Sequence, residues 1–216
     1  LLGNYQLSKN IDTNSGETDN AVAFRQNMNL QRGRSAFDQR HRAVLSGGYE
    51  LPWGKGKPWL NNPGPASWIL GGWQLQGIVT LLSSLAFTPT GPGVCTCGSY
   101  IQQRVNAVKP GYGKLANPTP DLWYDPTAYA VPPIGFQGNA GRNVIEGPGR
   151  ALMDYSLFKV FSITERANIQ FRAEFFNVAN HPAFNFPDAN VANKTAGTIT
   201  SASDGRSIQL GLRAVW

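Results

Sequence analysis

"ANIQFRAEF", residues 167–175, alternates strictly between apolar and polar side chains. Ala167, Ile169, Phe171, Ala173 and Phe175 fall on one side of an extended chain. Asn168, Gln170, Arg172 and Glu174 fall on the other. A period of two is the mark of a β-strand with two unlike faces; a helix would mix these residues around its circumference. The polar side carries an arginine and a glutamate in mid-strand, so that face meets water and not a second packed sheet.

The same period recurs five more times. Tyr5 and Leu7 alternate with Asn4, Gln6 and Ser8; Ala43, Leu45, Tyr49 and Leu51 with Arg42, Ser46 and Glu50. Trp73, Leu75, Val79 and Leu81 alternate with Gln74, Gln76 and Thr80; Met153, Tyr155 and Leu157 with Asp154 and Ser156. In the last stretch, "RSIQLGLRAVW" (206–216), Ile208, Leu210, Leu212, Ala214 and Trp216 are apolar, while Ser207, Gln209 and Arg213 are polar. The predicted fold is all-β: an antiparallel meander of six long strands near 1–9, 40–52, 70–87, 151–161, 165–178 and 206–216.

Composition says what the apolar faces meet. Hydrophobic residues make up 41% of the 216 and charged residues only 15%, with 24 glycines. That is little charge for a water-exposed surface, yet no apolar run is long enough for a membrane helix. Three connections, 10–39, 88–149 and 180–205, are long and polar, whereas "SIT" (162–164) is very short. Long loops at one end of a sheet and shorter turns at the other are the asymmetry of an outer-membrane barrel. Trp53, Trp73, Phe161 and Trp216 near strand ends fit aromatic girdles at the two interfaces. The expected architecture is therefore part of a transmembrane β-barrel with long extracellular loops.

The short turn sets an expected register. If Phe161 pairs with Glu165, Asp154 faces Arg172 and Ser156 faces Gln170. A slip of two would instead oppose Asp154 and Glu174, two like charges. An Asp154–Arg172 lumen pair is therefore expected, with Arg42, Glu50, Glu174 and Arg213 on the same wet face.

Several stretches, in order, resemble one family: the β-barrel of TonB-dependent outer-membrane transporters of the Oar-like type, which carry a carboxypeptidase-regulatory-like domain at the N-terminus. They are "FDQRHRAVLSGGYELPWGKGK" (37–57), "ILGGWQLQGIVTLLSSLAFTP" (69–89), "WYDPTAYAVPP" (123–133), "GNAGRNVIEGPG" (138–149), "DYSLFKVFSITERANIQFRAEFFNVANHPAFNFP" (154–187) and "IQLGLRAVW" (208–216). The resemblance implies a barrel of about 22 strands around a plug, of which this chain is the C-terminal segment. Residue 1 then reads as a cut through a larger protein, and the six strands leave two unpaired sheet edges. It also implies outer-membrane lipid, the barrel-assembly machinery and TonB as partners, TonB acting through the absent N-terminal part. Leu210, Gly211, Leu212, Ala214 and Trp216 resemble the C-terminal signal read by the assembly machinery, with Trp216 at the periplasmic interface. A periplasmic C-terminus places 162–164 in the periplasm and the three long loops outside the cell.

The function so implied is active uptake of a scarce nutrient into a bacterial cell through its outer membrane. The substrate, whether a small molecule such as an iron chelate, an oligosaccharide or a peptide, is not named by the residues. A surface adhesion or structural barrel without transport is the alternative. Catalysis is not expected. "GKGKP" lacks the spacing of a phosphate-binding loop, no nucleophile elbow occurs, and His41 and His181 have no evident serine and acid partners. No metal site or cofactor is expected: Cys95 and Cys97 in "CTCG" lack two further ligands at suitable spacing, and read as a local loop feature, a redox pair or a strained small-ring disulfide. The net charge of +6 comes from scattered lysines and arginines that form no stripe, so no nucleic-acid partner is expected. Tyr100, Tyr112, Trp123, Tyr124 and Tyr129 in the long loops could stack on a ligand or pack the loops.

Overall fold

The structure, a computed structural model, describes residues 1–15, 28–95 and 101–216. Six antiparallel strands form one sheet in sequence order. They are β1 (Leu2–Leu7), β2 (His41–Glu50), β3 (Trp73–Leu82), β4 (Arg150–Ser162), β5 (Asn168–Phe176) and β6 (Ser207–Val215). Each pairs only with its neighbours in sequence, so β1 and β6 are the edges. Among the described residues no helix is long and apolar enough to cross a membrane.

The register brings all six apolar stripes to one face. Leu45, Val79 and Met153 lie in one row across β2, β3 and β4. Leu157, Ala173 and Leu210 lie in another across β4, β5 and β6. Tyr5 sits opposite Ala43 on the first pair. Much of this face is bare: Leu45, Tyr49, Ile208, Leu210 and Leu212 are exposed, Leu212 at 74%. An apolar surface of this extent marks contact with something other than water. The opposite face carries Arg42, Glu50, Gln76, Asp154, Arg172, Glu174 and Arg213, interrupted by apolar residues that include Val44, Ile78, Leu152, Phe158, Val160 and Phe176.

Strand ends depart from the sequence reading in two places. Leu70 does not open β3. It closes a short helix, α1 (Pro65–Leu70), which starts with proline in the first turn and ends where Gly71 N donates to Ser67 O at 2.9 Å. Beyond β3, Ala86–Phe87 leaves the sheet to pair with Ile145–Glu146. The turn between β4 and β5 is longer than "SIT". Ser162 still pairs with Asn168, and residues 163–167 make the turn. Ile163 N and Thr164 N both donate to Ala167 O, and Ala167 N donates to Thr164 Oγ1 at 3.0 Å.

That turn corrects the expected register. Arg172 lies opposite Phe158, not Asp154, and Gln170 lies opposite Val160, not Ser156. Asp154 lies past the last pair of β4 and β5, Tyr155–Phe175, and accepts from Asn177 N at 2.8 Å. Arg172 reaches Glu174 of its own strand at 3.7 Å. A cross-strand charge pair contributes only about 0.2–1 kcal/mol, and the observed register instead closes a longer turn on the Thr164 hydroxyl, which accepts from Ala167 N. The displacement is by an even number of residues, so every side chain kept its predicted face.

The three long connections meet at the far end of the sheet from this turn and pack together there. Val105, Tyr124, Ala128, Tyr129, Ala140 and Ile145 form a buried cluster, flanked by Phe87, Ala107, Val144 and Val191. This cap has its own core, distinct from the sheet.

Candidate functional site

Two surfaces have the chemistry for function, the polar face of the sheet and the cap above it. On the polar face, small residues set the contour. Ser46, Gly48, Gln76, Ile78, Asp154, Ser156, Glu174 and Phe176 line a shallow groove of about 360 Å³. Gly47 and Gly77 lie side by side in the row that continues through Tyr155 to Phe175, and the apolar face is hollowed there too. Of the expected lumen residues, Asp154 and Glu174 border this groove. Glu50 instead turns to Lys57, whose Nζ donates to it at 2.6 Å.

The cap is tied by a buried arginine that sequence reading passed over as one of many scattered cations. Arg142 is 4% exposed. Its Nη1 donates to Ser15 Oγ at 2.8 Å, its Nε to Gln31 O at 3.1 Å and its Nη2 to Asp12 O at 2.8 Å, and it forms an ion pair with the Asp12 carboxylate. One guanidinium thus ties residues 138–149 to the first long loop. Arg104 adds a second tie, donating to Gln31 Oε1 at 2.8 Å. Burial pulls the Arg142 guanidinium down from its ordinary pKa.

Beside it, Arg34 bridges Asp38 and Glu146, both at 2.8 Å. Burial acts to raise the Asp38 pKa, but the Asn10 N–H and the Arg34 guanidinium outweigh it and hold the carboxyl below its ordinary value of 3.8. At Asp125 the hydrogen bond from Thr127 leads, with Lys109 second, and lowers the carboxyl likewise. At Asp188 burial again acts upward, yet Thr195, Asn193 and the Asn190 N–H prevail and lower it. The side chains of Asn193 and Thr195 are thus engaged within a turn, both donating to the Asp188 carboxylate.

The loop aromatics divide. Tyr124 and Tyr129 are core residues, their rings 6.2 Å apart, and burial raises both phenol pKa values. Tyr124 Oη donates to Asp188 O and Tyr129 Oη to Tyr112 O. Tyr112 and Trp123, with the inner edge of Tyr124, line a cavity of about 190 Å³ together with Lys114, Leu115, Pro118 and Glu146. Trp123 Nε1 donates to Glu146 O at 2.8 Å, and Lys114 Nζ stands 3.9 Å from Glu146 Oε2. Glu146 and Lys114 were not legible in the sequence, because the pairing of Ile145–Glu146 with Ala86–Phe87 brings the one to this wall and the pairing of Lys114 with Tyr124 brings the other. An aromatic wall with one carboxylate and one ammonium suits a polar organic ligand.

His41 bonds Tyr5 Oη through Nδ1 at 2.8 Å, and His181 N donates to Asn177 Oδ1 at 2.9 Å. Among the described residues no three His, Cys, Asp or Glu side chains gather in a group that could hold a metal. Cys97 and Tyr100 lie outside the described residues, so the Cys95–Cys97 reading does too. In β6, Leu210, Leu212 and Ala214 share the apolar face with Phe171, Ala173 and Ile169, while Gly211 lies opposite Arg172 on the polar one. Trp216 is 92% exposed.

A family described as "Outer membrane beta barrel domain" matches residues 1–209. The chain belongs to that family. Its place is the bacterial outer membrane, and the bare apolar face of this outer-membrane barrel chain is the surface that lipid covers. No match was found among curated proteins or among solved structures.

Proposed function

We propose that the chain is the C-terminal barrel segment of a TonB-dependent, Oar-like outer-membrane receptor that takes up a scarce nutrient actively and performs no catalysis. The observation that carries the reading is the division of one six-stranded sheet into a lipid face and a face bearing Asp154, Arg172, Glu174 and Arg213, with a folded cap at the end away from the short turn. The polar face supports a wet interior able to hold a plug, and the cap supports capture of a ligand outside the cell. The resemblance of the ordered stretches to Oar-like transporters supports a link to TonB, which would act through the N-terminal portion. Leu210, Gly211, Leu212, Ala214 and Trp216 serve as the signal for the barrel-assembly machinery.

The test is uptake in cells. The gene is deleted, iron chelates, oligosaccharides and peptides are supplied in turn as the limiting nutrient, and labelled uptake is measured with and without a protonophore. The reading predicts that one nutrient class loses its energy-dependent uptake. Unchanged uptake of every class, with loss of surface attachment instead, would overturn it in favour of an adhesion barrel.

A further inference from the structure

We propose that α1 is a foot set in the inner leaflet of the outer membrane, with Trp68, Ile69 and Leu70 in phospholipid and Lys159 as the clasp that holds it there. The inference rests on the chain's being an outer-membrane barrel with its cap outside the cell, not on transport.

Lys159 sits on the apolar face of β4, between Trp73 of β3 and Phe171 of β5. A cation facing lipid is strongly destabilising at the bilayer midplane and far less so near an interface. Yet Lys159 is 2% exposed. Its Nζ donates to the carbonyls of Trp68 and Ile69, the latter at 2.8 Å, and lies 4.4 Å from the Phe161 ring centroid and 5.6 Å from that of Trp73. These carbonyls belong to the last turn of α1, where helix oxygens lack partners and a cation is favoured. Trp73 Nε1 donates to Ile69 O at 3.0 Å as well. The helix is therefore fastened to the lipid-facing side of the sheet, with the Trp68 ring tilted against Phe161, centroids 5.1 Å apart.

Fastened so on the lipid-facing side of the sheet, α1 leaves Trp68, Ile69 and Leu70 half-exposed. From Pro58 to Gly72 the sequence holds no charged side chain, and four of the six tryptophans fall at 53, 59, 68 and 73. Tryptophan clustered at one level of a membrane surface is the composition of an interfacial belt. Gly54 and Gly71 close the lobe around the helix: a Cβ on Gly71 would stand 2.6 Å from Gly54 Cα. The level is that of the 163–167 turn, the end opposite the cap, which is the inner leaflet if the cap faces outward.

The test uses the full-length protein with Cys95 and Cys97 replaced by serine and one bimane-labelled cysteine at Leu70, in phosphatidylcholine–phosphatidylglycerol vesicles with brominated acyl chains. Labels at Leu212 and Gln209 give the lipid-facing and lumen-facing references. Quenching at 70 that matches 212 and is several-fold above 209 is the expected result. Quenching no greater than at 209, by iodide from the water or by neither reagent, overturns the proposal; the last outcome assigns the helix to a protein partner. Adding Lys159→Met should at least halve quenching at 70 and leave 212 unchanged, and unaltered quenching at 70 removes the clasp. A label at Ile69 reads the same surface if Leu70→Cys fails to insert.

Discussion

Tyr155 lays its ring across Gly77: a Cβ on that glycine would stand 2.7 Å from both Cδ1 and Cε1 of the tyrosine. The two are direct cross-strand partners on the lipid face, and Gly47 continues the row. A glycine in mid-strand loses entropy on folding and leaves a gap, and a neighbouring aromatic that covers it restores the packing.

Gly77→Ala should therefore destabilise the sheet by about 1–3 kcal/mol through overpacking against the ring. In a Tyr155→Ala background the same change should cost much less. Urea unfolding of the four variants in vesicles measures the coupling; equal costs in both backgrounds would show that the ring and the glycine do not interact energetically.

Arg142→Ala should loosen the cap and spare the sheet. Removing a buried guanidinium leaves Ser15, Gln31 and Asp12 without its hydrogen bonds, a loss of about 1.5–3 kcal/mol for bonds to a charged group. Lysine should not rescue, because it cannot reach three partners with a planar fork. Limited proteolysis should show faster cleavage in the first long loop, with the strands still protected.

The cap should also loosen in acid. Asp38 and Asp188 have folded pKa values below the ordinary 3.8. Their ionised forms therefore favour the folded cap above that value, and this contribution is lost as pH falls through their folded pKa values. Hydrogen exchange should show loop amides around 10, 34 and 190 losing protection below the ordinary carboxylate range, while β3 to β5 keep theirs. Uniform loss across loops and strands would contradict this.

A disulfide between cysteines at Ser156 and Glu174 should form readily, with Cys95 and Cys97 replaced, because these residues are direct partners. Cysteines at Asp154 and Arg172 should not cross-link, since neither lies opposite the other.

Such a pair separates what was legible in the sequence from what was not. Alternation assigned Phe171 and Leu157 to one face and Arg172 and Asp154 to the other, because parity follows from the pleat alone. It left the register open: Asp154–Arg172 satisfied charge but ignored Thr164, whose hydroxyl lengthens the turn. The helix Pro65–Leu70 was hidden because six residues are too few to show a helical period. The cap was hidden for another reason. Arg142 finds Asp12 across 130 positions of sequence, and no local pattern announces such a partner.

The central claim, that one face of the sheet meets lipid and the other water, is tested most directly by cysteine scanning along β6 in intact cells with Cys95 and Cys97 replaced. A membrane-impermeant maleimide, followed by its mobility shift, should label Gln209, Gly211 and Arg213 and leave Leu210, Leu212 and Ala214 unlabelled. Equal labelling at consecutive positions would contradict the account.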